Sequence, residues 1–140
     1  MMHDIIMEHY ESPENRRQPG ADMIRAHMDS ASCIDDITVG VTLDEEGRVQ
    51  DCCWEGTCCV ISTASTSIAT ALAKGKTLAQ IEDLYRDYYA MLEGKDFDPS
   101  QLGEALAFAN TGRQPSRIGC ATIGFRGILN CLRKGGRHDA

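Results

Sequence analysis

The chain has 140 residues, 42% of them hydrophobic and 25% charged, with a formal charge of −7. That length fits one globular domain, residues 1–140, able to build a core without disulfide staples. The acidic balance argues against a nucleic-acid groove, no apolar run approaches the roughly 20 residues of a membrane span, and the N-terminus has neither the basic start nor the apolar run of a signal peptide, so a soluble cytoplasmic protein is expected.

Taken in chain order, Asp4–Tyr10 reads as a short helix, ended by the turn chemistry of Ser12-Pro13-Glu14-Asn15. Residues 16–32 carry no clear period and read as irregular. Ile37–Leu43 alternates as a half-buried strand. Asp44-Glu45-Glu46-Gly47 makes a polar turn, and Val49–Glu55 reads as the partner strand of an antiparallel hairpin.

After residue 58 the pattern is helical. Ile61, Ile68 and Leu72 share a face of a helix ended by Gly75, and Thr77 with Gln80 is a capping box that opens the next. Ile81, Leu84, Tyr85, Tyr88 and Leu92 stripe that second helix up to Gly94, with Tyr85, Tyr88 and Tyr89 at the edge of the core. Residues 95–116 form a looser connection around a short helix, about Gln101–Ala109. Ile118, Ala121, Phe125, Ile128, Leu129 and Leu132 line a last helix that Gly135-Gly136 closes. The expected class is α+β: a small antiparallel β-sheet packed against several helices, most of them C-terminal.

Charge is unevenly placed. Residues 1–112 hold 8 Lys/Arg against 20 Asp/Glu, and residues 113–140 hold 6 Lys/Arg against 1 Asp. The basic end reads mainly as Arg133 and Lys134 complementing the dipole of the last helix turn, with a partner-docking role as the alternative.

Seven cysteines in a chain expected in a reducing compartment point to thiol or metal chemistry. The central cysteines give Cys53-x₄-Cys58 with adjacent doublets, which is not the spacing of a self-contained zinc ribbon. A dispersed site fits better. Cys33 and Asp35 leave one side of an extended segment before the first expected strand. Cys59 lies where the hairpin enters a helix and Cys120 in the first turn of the last helix, positions that favour thiolates. Three thiolates and one carboxylate suit tetrahedral zinc or the anchoring of an iron–sulfur cluster, and the harder carboxylate would ease release of a soft cargo.

Of the other cysteines, Cys52 shares a strand face with Trp54 and reads as core, while Cys53 points the other way, toward solvent. Cys131 returns to the face of Cys120, but about 16 Å along the helix axis, too far to share a metal. Asp36 should face away from Asp35. Arg117, one turn before Cys120, either stabilises a thiolate or persulfide as an auxiliary group or is a surface residue. His9 reads as a capping or packing residue.

His9-Tyr10-x-x-Pro13-x-Asn15-Arg16, Cys33-x-Asp35, Glu55-Gly56-x-x-Cys59-x-Ile61-Ser62 and Pro115-x-Arg117-Ile118-x-Cys120-Ala121 together resemble the NifU/IscU-like family of iron–sulfur cluster assembly proteins, over about residues 4–134. The resemblance implies a SufE/NifU-like fold and identifies Cys33, Asp35, Cys59 and Cys120 with the family's metal and cluster ligands. Gly119 stands where the housekeeping scaffold branch places a histidine, the Leu-Pro-Pro-Val-Lys signal is absent, and 61 positions separate Cys59 from Cys120, features similar to the SUF-type (SufU-like) branch. That branch implies zinc at the ligands and sulfur accepted from a cysteine desulfurase for downstream iron–sulfur assembly machinery, with Cys33 as the receiving thiol. The same ligands would serve a scaffold for a transient [2Fe-2S] cluster, and a structural zinc or redox-thiol domain is the third reading.

Two positions depart from the family pattern. Ile34 stands where the family has glycine, and Cys58 stands where it has glycine before the second ligand. Cys58 either fills space in the turn or adds a thiol to the site.

Overall fold

The computed structural model describes residues 2–29 and 34–138. The elements are helix α1 (Met2–Glu11), strands β1 (Ile24–Asp29), β2 (Asp36–Leu43) and β3 (Val49–Thr57), then helices α2 (Val60–Ala73), α3 (Leu78–Leu92) and α4 (Ile118–His138). Short 3-10 turns, among them Gly103–Phe108 and Pro115–Arg117, connect α3 to α4. The strands form an antiparallel sheet in the order β1-β2-β3, and the α+β class with its C-terminal helices is as the sequence implies.

β1 lies within the stretch that reads as irregular. Of its six residues only Ala26 is buried, so an edge strand that packs by so little leaves almost no hydrophobic alternation to read. Backbone pairing with β2, from Ile24 opposite Val41 to Asp29 opposite Asp36, makes it a strand. β2 supplies Ile37, Val39 and Val41 to the core, and β3 sets Trp54 opposite Val39 and Cys52 opposite Val41. Directly paired residues share a sheet face, so Cys52 and Trp54 lie in the core as expected.

Cys53 corrects its expectation. It is fully buried, because the segment Pro19–Met23 folds over that face of the sheet. Its Sγ sits 3.5 Å from Met23 Sδ, and a Cβ on Gly40, its register partner, would lie 2.7 Å from Pro19.

α2 is central rather than amphipathic. Ser62, Thr63, Ser65, Thr66, Ser67 and Thr70 are all buried. Small hydroxyl side chains let neighbouring elements approach closely, and most find partners. Ser65 Oγ donates to Cys120 O (3.1 Å), Asn15 Nδ2 donates to Thr70 Oγ1 (3.1 Å), and Glu14 N donates to Ser67 Oγ (2.7 Å). His9 Nδ1 also meets Ser67 Oγ at 2.7 Å while its Nε2 reaches Glu104 at 3.0 Å, so this packing histidine ties α1 to α2 and to the Gly103–Phe108 turn. Where α2 meets α4, Gly124 rests on Thr66, and a Cβ there would come 2.6 Å from Thr66 Oγ1.

α3 closes the core with aromatic packing. Tyr88 is fully buried, 4.5 Å from the Phe125 ring and edge-on to Phe108 at 6.4 Å, and its hydroxyl donates to Ala121 O at 2.8 Å. Tyr85 is half-buried and Tyr89 exposed, so of the three tyrosines Tyr88 is core and not edge. The capping box at Thr77 and Gln80 is present in both directions. Gly135-Gly136 do not close α4, which runs on to His138. Gly135 instead lets the helix lie against the sheet, since a Cβ there would sit 2.9 Å from Ile24 and 3.1 Å from Leu43. Arg133 and Lys134 are therefore inside α4 and not in its last turn. They reach Glu82 (3.3 Å) and Arg25 O (2.7 Å) rather than the helix end. Among the described residues, no helix is long and apolar enough to cross a membrane.

Candidate metal centre

Three chain segments converge at one end of α2. Asp35 enters from the residue before β2 and is buried, at 2% exposure. Cys59 is the N-cap of α2, with the extended backbone that a cap requires (φ −81°, ψ 178°). Cys120 is the third residue of α4 and is buried. One carboxylate oxygen of Asp35 and the two sulfurs all lie within 4.8 Å of one another. Cys33, expected as the fourth member and as the receiving thiol, lies outside the described residues.

Ser62 organises this cluster. Its Oγ donates to Asp35 Oδ1 at 2.6 Å and accepts from Cys59 N at 3.0 Å, while Ser62 N donates to Cys59 Sγ at 3.4 Å. Cys59 N also lies 3.1 Å from Asp35 Oδ1. The result is a capping box with a cysteine as its cap, so the bonds that start the helix also orient two candidate ligands. On the other side, the Ser65 bond to Cys120 O ties the first turn of α4 to α2.

The turn into Cys59 is fixed by Gly56. Its φ is +144°, and a Cβ would lie 2.1 Å from Asp36 O, so the β2–β3 crossing tolerates no side chain there. Glu55 Oε1 accepts from Gly56 N (2.9 Å) and Arg16 Nε (3.0 Å), and these bonds hold its carboxyl below the usual carboxylate range. Arg16 also donates to Gly56 O at 2.8 Å and lies 4.9 Å over the Trp54 ring. His9, Asn15 and Arg16 therefore brace the elements that carry the ligands.

The donor set can be tested against a metal. Ligands on a tetrahedral zinc with ~2.3 Å bonds to sulfur stand about 3.8 Å apart, so a cluster within 4.8 Å needs to tighten by only about 1 Å. Two sulfurs and a carboxylate oriented by a hydroxyl fit zinc.

Other candidates separate from the centre. Cys58 is half-buried, and burial pushes its thiol up to about 11. It is not part of the three-residue cluster and packs against the core, the space-filling alternative. Asp36 faces away, as expected, and sits 2.6 Å from the exposed His27. Cys131 is buried, with its thiol pushed up to about 12 by burial, and its Sγ lies 3.5 Å from Val39 O. Arg117 is exposed on the turn before α4, where its Nε donates to Gln114 at 2.6 Å. Sequence reasoning missed Ser62 as an orienting group, although the spacing Cys59-x-x-Ser62 is that of a capping box.

Comparison with known proteins gives a consistent picture. The family model described as NifU-like N terminal domain matches residues 1–118. A Bacillus subtilis (strain 168) protein named zinc-dependent sulfurtransferase SufU is 33% identical over 131 residues, 93% of this chain and 88% of that one. A Streptococcus pyogenes serotype M1 protein named iron–sulfur cluster assembly scaffold protein IscU is 28% identical over 133 residues, 93% of this chain and 81% of that one. The crystal structure of the N-terminal part of a nitrogen-fixing NifU-like protein from Brucella abortus superposes with a TM-score of 0.80 at 22% identity, over 95% and 96% of the two chains, and shows the shared fold. Both sequence relatives extend the match past residue 118, where Cys120 and α4 lie.

Proposed function

The chain belongs to the family of NifU-like N-terminal domains, and on that basis we propose that it acts in iron–sulfur cluster assembly in the cytoplasm, as a single domain that accepts persulfide sulfur from a cysteine desulfurase at a zinc site of Cys33, Asp35, Cys59 and Cys120. The observation that carries this is the convergence of Asp35, Cys59 and Cys120 within 4.8 Å from three separate elements. The named activity of the Bacillus subtilis relative, at 33% identity, supports the same reading. So does Gly119, which leaves no side chain in front of Cys120.

Zinc bound by these residues would keep the coordinating cysteines deprotonated at neutral pH. Asp35 is a hard ligand among soft ones and is held on one oxygen by Ser62, so the carboxylate stays oriented when the thiols rearrange. The Cys33 thiolate attacks the terminal sulfur of the partner's persulfide. A new S–S bond forms on Cys33, the partner's S–S bond breaks, and the partner's cysteine leaves as thiolate. Cys59 and Cys120 sit at helix starts, where Ser62 bonds the Cys59 amide and Ser65 the Cys120 carbonyl, and these bonds hold the two residues in place.

Metal and acid-labile sulfide content after anaerobic purification, with no metal added, tests this. About one zinc per chain and no sulfide is the expected result. Iron and sulfide in near-equal amounts would instead establish a [2Fe-2S] scaffold on the same ligands; the Streptococcus relative is named an iron–sulfur cluster assembly scaffold protein. Loss of the whole fold on chelation would mark the zinc as structural.

A further inference from the structure

An open groove of about 440 Å³ runs alongside the start of α4, between Tyr85 and Tyr89 of α3 and Ile118, Thr122 and Arg126 of α4. Its wall includes Gly119, the residue before Cys120. The two tyrosine rings stand 5.9 Å apart, and Tyr89 is one of four large hydrophobic side chains exposed among the described residues. Two of the others flank the metal centre in sequence: Ile34, 66% exposed, beside Asp35, and Val60 beside Cys59. Each candidate ligand that the structure describes thus has exposed apolar or aromatic surface next to it.

Arg126 is the half-buried arginine of this chain, whereas the other arginines with described side chains are exposed. Arg16, Arg17, Arg48, Arg86 and Arg133 each reach a carboxylate of their own chain. Arg126 spends its described bonds on neutral acceptors, Thr122 Oγ1 at 3.2 Å and Gly119 O at 3.1 Å, which leaves the remaining donors of its guanidinium fork for another group. A partly desolvated cation with no ion-pair partner among the described residues, in a chain of net charge −7, is complementary to a carboxylate brought in from outside.

We propose that this groove docks a segment of the sulfur-donating protein, one that presents an aliphatic or aromatic side chain to Tyr85, Tyr89 and Ile118 and a carboxylate, from Asp, Glu or a chain terminus, to Arg126. The inference rests on the sulfur-acceptor reading and gives it an anchor point. A partner held against Gly119 is one residue from a ligand, and Ile34 and Val60 extend the contact across the other two arms of the centre. Arg126 acts here as a recognition residue that touches the partner and takes no part in the exchange.

The test uses the full zinc-loaded chain and a purified cysteine desulfurase, reading the KM and kcat for sulfur transfer onto this chain, its zinc content and its melting temperature. Arg126→Glu and Tyr89→Ala are expected to raise KM by about tenfold or more, with kcat, zinc and melting temperature near wild type. Arg126→Lys should recover part of the loss, and Arg48→Glu, an equal charge change in the β2–β3 turn and outside the groove lining, should leave KM unchanged. Unchanged KM in both groove variants, with wild-type transfer intact, would overturn the groove and leave the sulfur-acceptor reading standing. A fall in kcat together with lost zinc would show that Arg126 only braces the first turn of α4, which also overturns it. A zinc-loaded wild-type chain that accepts no sulfur would overturn the sulfur-acceptor reading itself, and the proposed partner with it.

Discussion

Ser62 links helix initiation to ligand geometry, because one hydroxyl contacts the Asp35 carboxylate, the Cys59 amide and the Cys59 sulfur. Removing it leaves a buried carboxylate with one donor fewer and a helix start with half of its capping box. Ser62→Ala should therefore weaken zinc binding by about ten- to a hundredfold, the usual scale for a group that orients a ligand. Cys58→Ala supplies the contrast. Cys58 lies outside the three-residue cluster and packs on the core, so zinc affinity should stay within a factor of about two of wild type. Competition with a chromogenic chelator distinguishes the two, and a large loss in Cys58→Ala would make that residue a ligand after all. In the sequence Cys58 reads either as filling space or as an added thiol, and Ser62 only as part of a motif. Only burial and partners tell them apart.

At the scale of elements, the centre depends on how closely α2 and α4 approach. Cys59 starts one helix and Cys120 lies at the start of the other, so their separation is fixed by the contact between the helix bodies. Gly124 against Thr66 makes that contact, with no room for a methyl group. Gly124→Ala should push the helices apart at a cost of about 1–3 kcal/mol, the range for overpacking a well-filled core. It should also weaken zinc binding, although residue 124 is no ligand. Denaturant unfolding and chelator competition on the same variant measure the two effects, and a stable variant with unaltered affinity would show that the sheet and not α4 sets the ligand spacing. The helix stripes of α3 and α4 and the β2–β3 hairpin are legible from periodicity, because in each a continuous apolar face meets the core. β1 is not, since a single buried residue carries no period. The buried hydroxyls of α2 mislead for the opposite reason, since Ser and Thr are counted as polar wherever they lie.

For the whole molecule, the buried thiols set a limit at alkaline pH. Burial raises Cys131 from 9.0 to about 12, and Cys52 is raised as well, chiefly by burial. Both stay protonated in the fold while the unfolded chain ionises them from about pH 9. Their contribution to stability is therefore complete below pH 9 and is lost as pH rises toward 12, because the native state then holds more protons than the unfolded one. The melting temperature should fall between pH 8 and pH 10.5, and Cys131→Ala should reduce that slope even if it lowers stability at every pH. A slope unchanged by the substitution would place the alkaline sensitivity elsewhere.

The sequence by itself determined the class of the fold, the hairpin, the capping box at Thr77 and the family resemblance, and through that resemblance it grouped Asp35, Cys59 and Cys120, which the fold brings within 4.8 Å. These follow from local periodicity, local hydrogen-bonding chemistry and motif order, which a linear chain displays directly. Tertiary structure alone decided that Cys53 is covered by Pro19–Met23, that Gly135 packs a continuing helix onto the sheet and that Ser62 orients the centre. It also decided that Arg126 stands half-buried with no carboxylate partner among the described residues. Each of these depends on which distant segment arrives beside a residue, and long-range contact is set by the packing of the whole chain rather than by any window along it.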